Sequence, residues 1–361
     1  SAEGGSPVKK EDEGAPHMKK GPRGVTAMLP SAAVIFSLTV RGAGPRKVTV
    51  TRPTQLTSYS RDKSGALHYP GQDLRPFALP ETPCNLNEGL AGWSPPPERP
   101  SLRDPILEAL DGVGIGACPE LHFVTFRNNL NKIMETPYNK RDSWEIDVKR
   151  ANGTVFLDVV KLPDSSWGQS EEDQRKFTYW GYNFESFCTK TAAGAQRKDV
   201  NPDVEWCAVM KVNIGDNRIA MAAEIDCFTP PGGASRGAAG PHDAPGPFVE
   251  IKTARLLETE RHHQAFARNK LLRFWIQSFL AGVPKICVGF RDDLGVVRKT
   301  EMLDVLDIPR RCADVWSARV CIDFTNRVLD MLREKTVDGN SYTLRFQEPF
   351  QEVELCENEE S

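Results

Sequence analysis

Residues 219–226 set the clearest period in the chain: Ile219, Met221, Ala223 and Ile225 alternate with Ala220, Ala222, Glu224 and Asp226. A period of two predicts a strand with one apolar face and an opposite face carrying both carboxylates. Residues 248–253 repeat the device, with Val249 and Ile251 on one side and Glu250 and Lys252 on the other. The Gly-, Pro- and Ala-rich loop 229–247 between them could close an antiparallel pair, in which three acids and one ammonium would meet. A helical period follows over 264–280, packed through Leu271, Trp275, Ile276 and Phe279 and stopped by Gly282 and Pro284. Lys270 and Gln277, seven residues apart, fall two turns apart on one face, where both could reach a phosphate backbone.

The rest of the pattern is mixed. Strands are expected over 33–41 and 47–52, a short helix over 104–110 and a strand over 121–126, whereas the proline-rich stretch 58–100 is expected to wrap the surface. Residues 144–148 and 154–160 predict a hairpin turned at Asn152-Gly153. The helix expected over 173–188 carries Phe177, Trp180, Phe184 and Phe187, with Gly181 and Glu185 sharing a stripe that would leave a carboxylate beside a gap. Strand 208–213 leads into the first acid-bearing strand. A hairpin over 285–290 and 296–300 has Arg291 at its tip, followed by an amphipathic helix over 315–334 and a strand over 342–346. Residues 1–24 mix Gly, Pro, Lys and Glu and are expected to be disordered; residues 351–361 read as an acidic tail. Without repeats or regular alternation of helix and strand, this predicts an α+β fold with largely antiparallel sheets, in one domain over 25–350.

Composition narrows the function. Hydrophobic content of 39% and charged content of 26% are those of a soluble globular protein. No apolar run is long enough for a bilayer, no charged-then-apolar signal opens the sequence, and no membrane partner is expected. A net charge of -3 opposes indiscriminate nucleic-acid binding, so any RNA groove must be a local basic patch served by metal ions. Nine cysteines without a Cys-x-x-Cys pair predict reduced thiols and an intracellular location. The histidines lack zinc spacing, and Gly112, Gly114 and Gly116 lack the Lys-Ser/Thr of a nucleotide loop.

An acid-x-acid pair alone more often marks a solvated face; here the acids interrupt apolar, strand-like runs. Two like charges about 4 Å apart repel by roughly 4 kcal/mol at an effective dielectric near 20, so the cluster calls for a cation. Carboxylate oxygens favour Mg²⁺ or Mn²⁺. Two such ions could flank an in-line displacement at phosphorus, with Lys252 orienting the nucleophile or neutralising charge. Arg127, placed directly after a strand, could fork onto a phosphate, although a lone arginine of this kind is more often a surface residue. The residues by themselves therefore point to metal-assisted phosphoester hydrolysis.

Several motifs also recur in a fixed order: Arg52-Pro53-Thr54-Gln55-Leu56 through Ser60; Arg127 with Thr136-Pro137-Tyr138; Gly181-Tyr182-Asn183-Phe184-Glu185; Glu224-Ile225-Asp226; Glu250-Ile251-Lys252; Lys270 through Gln277; and Gly289-Phe290-Arg291-Asp292-Asp293-Leu294-Gly295. Over roughly 52–346 the chain resembles the DXO family of eukaryotic decapping exoribonucleases, including nuclear members that accompany a large 5′-3′ exoribonuclease. The resemblance implies two mixed, mostly antiparallel sheets flanked by helices, with a core related to the Asp-(Asp/Glu)-x-Lys nucleases. It implies that Glu185, Glu224, Asp226 and Glu250 bind two divalent ions directly or through water, with the Ile251 carbonyl as a further ligand. Lys252 would position water, and Arg127 and Gln277, with Lys270 and Arg291, would hold the RNA substrate. The implied activity is hydrolysis at RNA 5′ ends in quality control, in nucleus or cytosol: pyrophosphate from a triphosphate, release of incomplete or nucleotide-derived caps including NAD, and in some members 5′-3′ degradation. The competing readings are a binding partner that stabilises or activates a separate 5′-3′ exoribonuclease, and a DNA nuclease sharing the core. Residues 1–24, the strand at 33–41 and the acidic tail have no counterpart in that resemblance.

Overall fold

The alternating segments assort into two sheets rather than one. The computed structural model describes residues 33–41, 44–95, 104–115, 120–160, 170–191, 194, 200, 202–230 and 247–358, so the expected disorder of 1–24 lies outside them. The larger, ten-stranded sheet runs in the order β1 (Ala33–Thr39), β15 (Glu352–Glu357), β14 (Ser341–Phe346), β6 (Trp144–Ala151), β7 (Thr154–Val160), β5 (Phe123–Phe126), β9 (Asn217–Glu224), β8 (Glu205–Ile214), β2 (Thr54–Arg61) and β3 (Leu67–His68). The smaller runs β10 (Cys227–Phe228), β11 (Phe248–Arg255), β12 (Lys285–Arg291), β13 (Val296–Asp304) and β4 (Cys84–Asn85). Both sheets are mixed: β5 is parallel to β7 and β9, β11 is parallel to β12, and the remaining ladders are antiparallel.

The helices are α1 (Asp104–Asp111), α2 (Arg127–Glu135), α3 (Glu171–Phe187), α4 (Glu260–Ala265), α5 (Leu272–Leu280), α6 (Ile308–Arg311) and α7 (Ala318–Lys335). Ser170 caps α3 by accepting from the Asp173 N–H at 3.0 Å, with three acids in the first turn where the helix dipole favours them. Asn152 and Gly153 both take positive φ, 51° and 79°, as a tight two-residue hairpin turn between β6 and β7 requires.

Burial follows the alternation. On β9, Ile219, Met221 and Ala223 enter the main core with Leu272 and Trp275 of α5, while Ala220 and Ala222 face Ile106 and Leu110 of α1. A separate core joins Trp180 and Phe184 of α3 to Val249 and Ile251 of β11. Gly289 is required there, because a Cβ at that position would collide with the Phe184 ring. That contact fixes α3, and with it Glu185, against the smaller sheet.

Five expectations are corrected. Residues 47–52 form only an isolated bridge, Val50 to Ile214, because Pro53 interrupts the run before β2. Residues 54–61, partly assigned to a surface wrap, form a strand whose Thr57, Ser58, Tyr59 and Ser60 are buried; its polar composition hides it. The acidic tail is largely strand: Val353 and Leu355 are buried, and β15 pairs with both β1 and β14. The helix read as continuous over 264–280 starts at Glu260 and contains a π-helical turn, Phe266–Leu271. Most consequentially, the two acid-bearing strands do not pair, because β9 belongs to the larger sheet and β11 to the smaller. The chain leaves β9 after Glu224, and it is β10 that pairs antiparallel with β11, Cys227 opposite Val249.

Candidate active site

The bend between the sheets builds the site. Ile225 N–H still donates to Trp206 O at 2.9 Å, which holds the end of β9 in the large sheet. One residue on, Asp226 Oδ2 accepts the Ile251 N–H at 2.6 Å, so its carboxylate stands in for a ladder partner and ties β9's extension to β11. Glu250 and Lys252 project from one face of β11, and Glu185 comes from α3, packed beneath. Arg127 opens α2 directly after β5, and Gln277 reaches in from α5.

Glu250 is the hub, only 1% exposed. Its Oε1 accepts from Lys252 Nζ at 2.5 Å and from Gln277 Nε2 at 2.6 Å. Arg127 Nη1 stands 3.5 Å from Glu250 Oε2, close enough for charge attraction, yet both atoms are buried without a hydrogen-bond partner. Burial would raise the Glu250 carboxyl, but Lys252 and Arg127 outweigh it and hold it below its ordinary range. Burial opposes the charge on Lys252, and Glu250 and Asp226 more than restore it.

The other three acids behave in the opposite way. Asp226 is pushed up to about 7 by burial and by Glu250, against the pull of Lys252 and the Ile251 N–H. Glu185 is raised by burial and by Asp226 and Glu224. Glu224 opens to solvent at the strand end, but the protein around it still withdraws water, and Glu205 adds like charge, so it too is raised. Burial and like charge thus dominate these three acids, and Lys252, with Arg75 at Glu185 and Arg127 at Glu224, offsets them only in part.

Oxygen donors in this number suit a hard divalent cation, and the unpartnered Glu250 Oε2 offers a buried lone pair to one. Among the described residues no three Asp, Glu, His or Cys side chains already stand as a finished cage. Glu250 is turned to its cationic neighbours, so the donor set fits a cation that is completed by water or substrate oxygens.

The remaining predicted residues divide. Gln277 is inside the site, not a surface glutamine. Lys270 falls in the π-helical turn and is exposed; Arg273, Arg291 and Lys252 lie near enough to depress its ammonium further after desolvation. Arg291 is outside the acid cluster, its guanidinium 4.5 Å from the Trp180 ring and 5.0 Å from Phe177. Ile251 contributes its backbone N–H, and its side chain belongs to the core. Four neighbours were not singled out from the sequence: Glu205, which Arg61 Nε holds at 3.0 Å; Arg61 itself; Arg75, which favours the charge on Glu185; and Tyr182, whose phenol is raised to about 12 by burial and the surrounding acids. The β8–β9 register, with Cys207 opposite Glu224, is the signal that locates Glu205.

The sequence profile of the RAI1-like PD-(D/E)XK nucleases matches residues 51–361. The chain belongs to that family. The match takes in β15, so the acidic carboxy-terminal strand is part of the RAI1-like domain, whereas β1 precedes it. Among relatives, a decapping nuclease RAI1 of Emericella nidulans is 28% identical over 86% of this chain and 90% of its own. The decapping and exoribonuclease protein of Homo sapiens is 27% identical over 80% and 76%. Solved structures share the fold: Schizosaccharomyces pombe Rai1 with 3′-FADP has a TM-score of 0.74 at 24% identity, covering 90% of this chain and 99% of that one. Candida albicans Rai1 with pU5 and Mn²⁺ has a TM-score of 0.77 at 23% identity, covering 91% and 94%.

Proposed function

We propose that this RAI1-like chain hydrolyses phosphate linkages at RNA 5′ ends, using Mg²⁺ or Mn²⁺. The observation that carries the reading is the meeting of Glu185, Glu224, Asp226 and Glu250 around Lys252, with three of the four carboxyls raised by burial and by neighbouring acids, which the chain's own cations only partly offset. Those four acids, with the Ile251 carbonyl, are the groups that would hold two divalent ions. When bound, such ions supply charge compensation and activation of water for in-line displacement at phosphorus.

The chain's own part can be stated residue by residue. Lys252 keeps its ammonium charged beside Glu250 and Asp226, where it orients the attacking water. Arg127 has a buried N–H without a partner, a donor for a phosphate oxygen. Gln277 clamps Glu250 and meets the same phosphate from α5, while Lys270 and Arg291 lie further along the RNA. The substrates under this reading are triphosphate ends and incomplete or nucleotide-derived caps, NAD included, with 5′-3′ degradation of the monophosphate product as a further activity. Eight of the cysteines are free and buried among the described residues, which supports an intracellular setting, nucleus or cytosol.

The test is a panel of 5′-labelled RNAs bearing triphosphate, cap, NAD or monophosphate, incubated with Mn²⁺ and resolved by product. Wild type should release the 5′ moiety from the first three, and Glu224→Ala should lose about a hundredfold or more with an unchanged melting temperature. Full activity in folded Glu224→Ala would overturn the reading.

A further inference from the structure

A fifth acid, Glu205, stands beside the four candidate ligands, and the register of the large sheet places it. Cys207 of β8 lies opposite Glu224 of β9, so the two share a face of the sheet. Glu205 comes two residues before Cys207 and shares that face as well. It is therefore the diagonal neighbour of Glu224, at a backbone separation of about 7–8 Å that two glutamate side chains can close. The bond from Ile225 N–H to Trp206 O, 2.9 Å, keeps the strands in step up to this point. Asp226 would face Glu205 if the ladder ran one pair further, but it turns away to accept the Ile251 N–H. Glu205 stays on the large sheet where Asp226 leaves it.

A cation fixes its direction. β2 sets Arg61 opposite Glu205, and Arg61 Nε donates to Glu205 Oε1 at 3.0 Å while Nη1 donates to Gly65 O at 3.3 Å. The guanidinium is held at both ends, so the carboxylate it grips is held too. Oε2 accepts from no described residue, and the Glu205 side chain is 33% exposed, open enough for water to reach it. Of the charges around Glu224, Glu205 acts most strongly, ahead of Arg127, Glu250 and Lys252. A partly exposed ion pair adds little stability by itself. Beside a ligand acid it gains a different use: Mg²⁺ and Mn²⁺ keep several waters when carboxylates bind them, and carboxylates outside the ligand set hold such groups in place through hydrogen bonds.

We propose that Glu205 is a positioning residue of the metal centre: its Oε2 accepts from water on a divalent ion at Glu224, and Arg61 holds it in that orientation. The inference rests on the reading of the acids as a metal-dependent hydrolytic centre. It adds a carboxylate that touches no ion directly.

The test is Glu205→Gln in the full chain. With Arg61 on the amide oxygen, the new side chain turns an N–H donor toward the place of Oε2, so charge and acceptor are both lost at constant size. The metal-free melting temperature should hold within a few degrees. The Kd for Mn²⁺, measured by calorimetry, should rise about tenfold or more. Arg61→Gln is the second variant: it leaves the Glu205 carboxylate charged and removes an opposing cation, so Mn²⁺ should bind at least as tightly as to wild type. On 5′-triphosphate RNA, the Mn²⁺ concentration giving half the maximal rate should move with Kd in both variants. Unchanged Mn²⁺ affinity in Glu205→Gln would overturn the assignment. So would equal weakening in both variants, or a large fall in the metal-free melting temperature, because either marks the pair as structural. Wild type that binds no Mn²⁺ would overturn this inference and the metal reading together. Wild type that hydrolyses no RNA end, with Mn²⁺ binding still weakened by Glu205→Gln, would instead defeat the hydrolase reading and leave the role of Glu205 standing.

Discussion

Glu250 and Asp226 occupy one centre in opposite electrostatic circumstances. Glu250 has Lys252 and Gln277 on one oxygen and Arg127 near the other, and its carboxyl is held low. Asp226, with Glu185 and Glu224, faces mainly other acids, and its carboxyl is pushed up to about 7. One half of the site is neutralised by the chain's own side chains and acts as a fixed scaffold. The other half is crowded by burial and like charge that the chain's own cations only partly offset, so an added cation has charge to meet there, which is how a binding site differs from a buried structural pair.

The sharpest way to break this contrast is Asp226→Asn, which keeps an acceptor for the Ile251 N–H but removes the charge. RNA hydrolysis should fall by about a thousandfold. The metal-free melting temperature should hold or rise, because one crowded acid is gone. A large loss of stability would mean that Asp226 is structural. Lys252→Met attacks the neutralised half and should cost about 3 kcal/mol in denaturant unfolding, since it strips a buried carboxylate of its closest cation. An unaltered midpoint would show that Arg127 and Gln277 alone satisfy Glu250.

A third prediction concerns pH. In the unfolded chain the acids titrate near about 4, whereas in the metal-free fold Glu185, Glu224 and Asp226 are raised. The folded chain therefore holds extra protons between those values, and its stability falls as pH rises through that window, toward about 7 for Asp226. Cation binding expels the same protons. The gain in melting temperature on adding Mn²⁺ should be slight at pH 5 and larger by several degrees at pH 8; a gain independent of pH would contradict the raised acids. The smallest effect is expected outside the cluster: Arg291→Ala, which loses two ring contacts, should cost about 1 kcal/mol and raise KM for RNA with kcat unchanged.

Much of this centre was legible in the chain because period two sorts residues by face without reference to a partner. The alternation placed Glu224, Glu250 and Lys252 on their own strands, whereas Asp226, read onto the same strand as Glu224, lies beyond its end at the bend. It could not say which strands pair: that is decided by β10, two residues long and carrying no pattern of its own. Strand β2 was obscured because Thr57, Ser58 and Ser60 fill positions that sheet neighbours bury, and β15 because its glutamates, which stay at the surface, mask the alternating Val353 and Leu355. The π-helical turn was invisible because one added residue barely disturbs a helical period. Glu205 acquires its role only through the register that sets Cys207 opposite Glu224, a relation between strands and not within one.

The most direct measurement is anomalous diffraction from crystals of wild-type protein soaked in Mn²⁺. The strongest peaks should lie among Glu185, Glu224, Asp226 and Glu250, and vanish or weaken in Asp226→Asn. Manganese bound elsewhere on the chain, with no peak among those four carboxylates, would contradict the account.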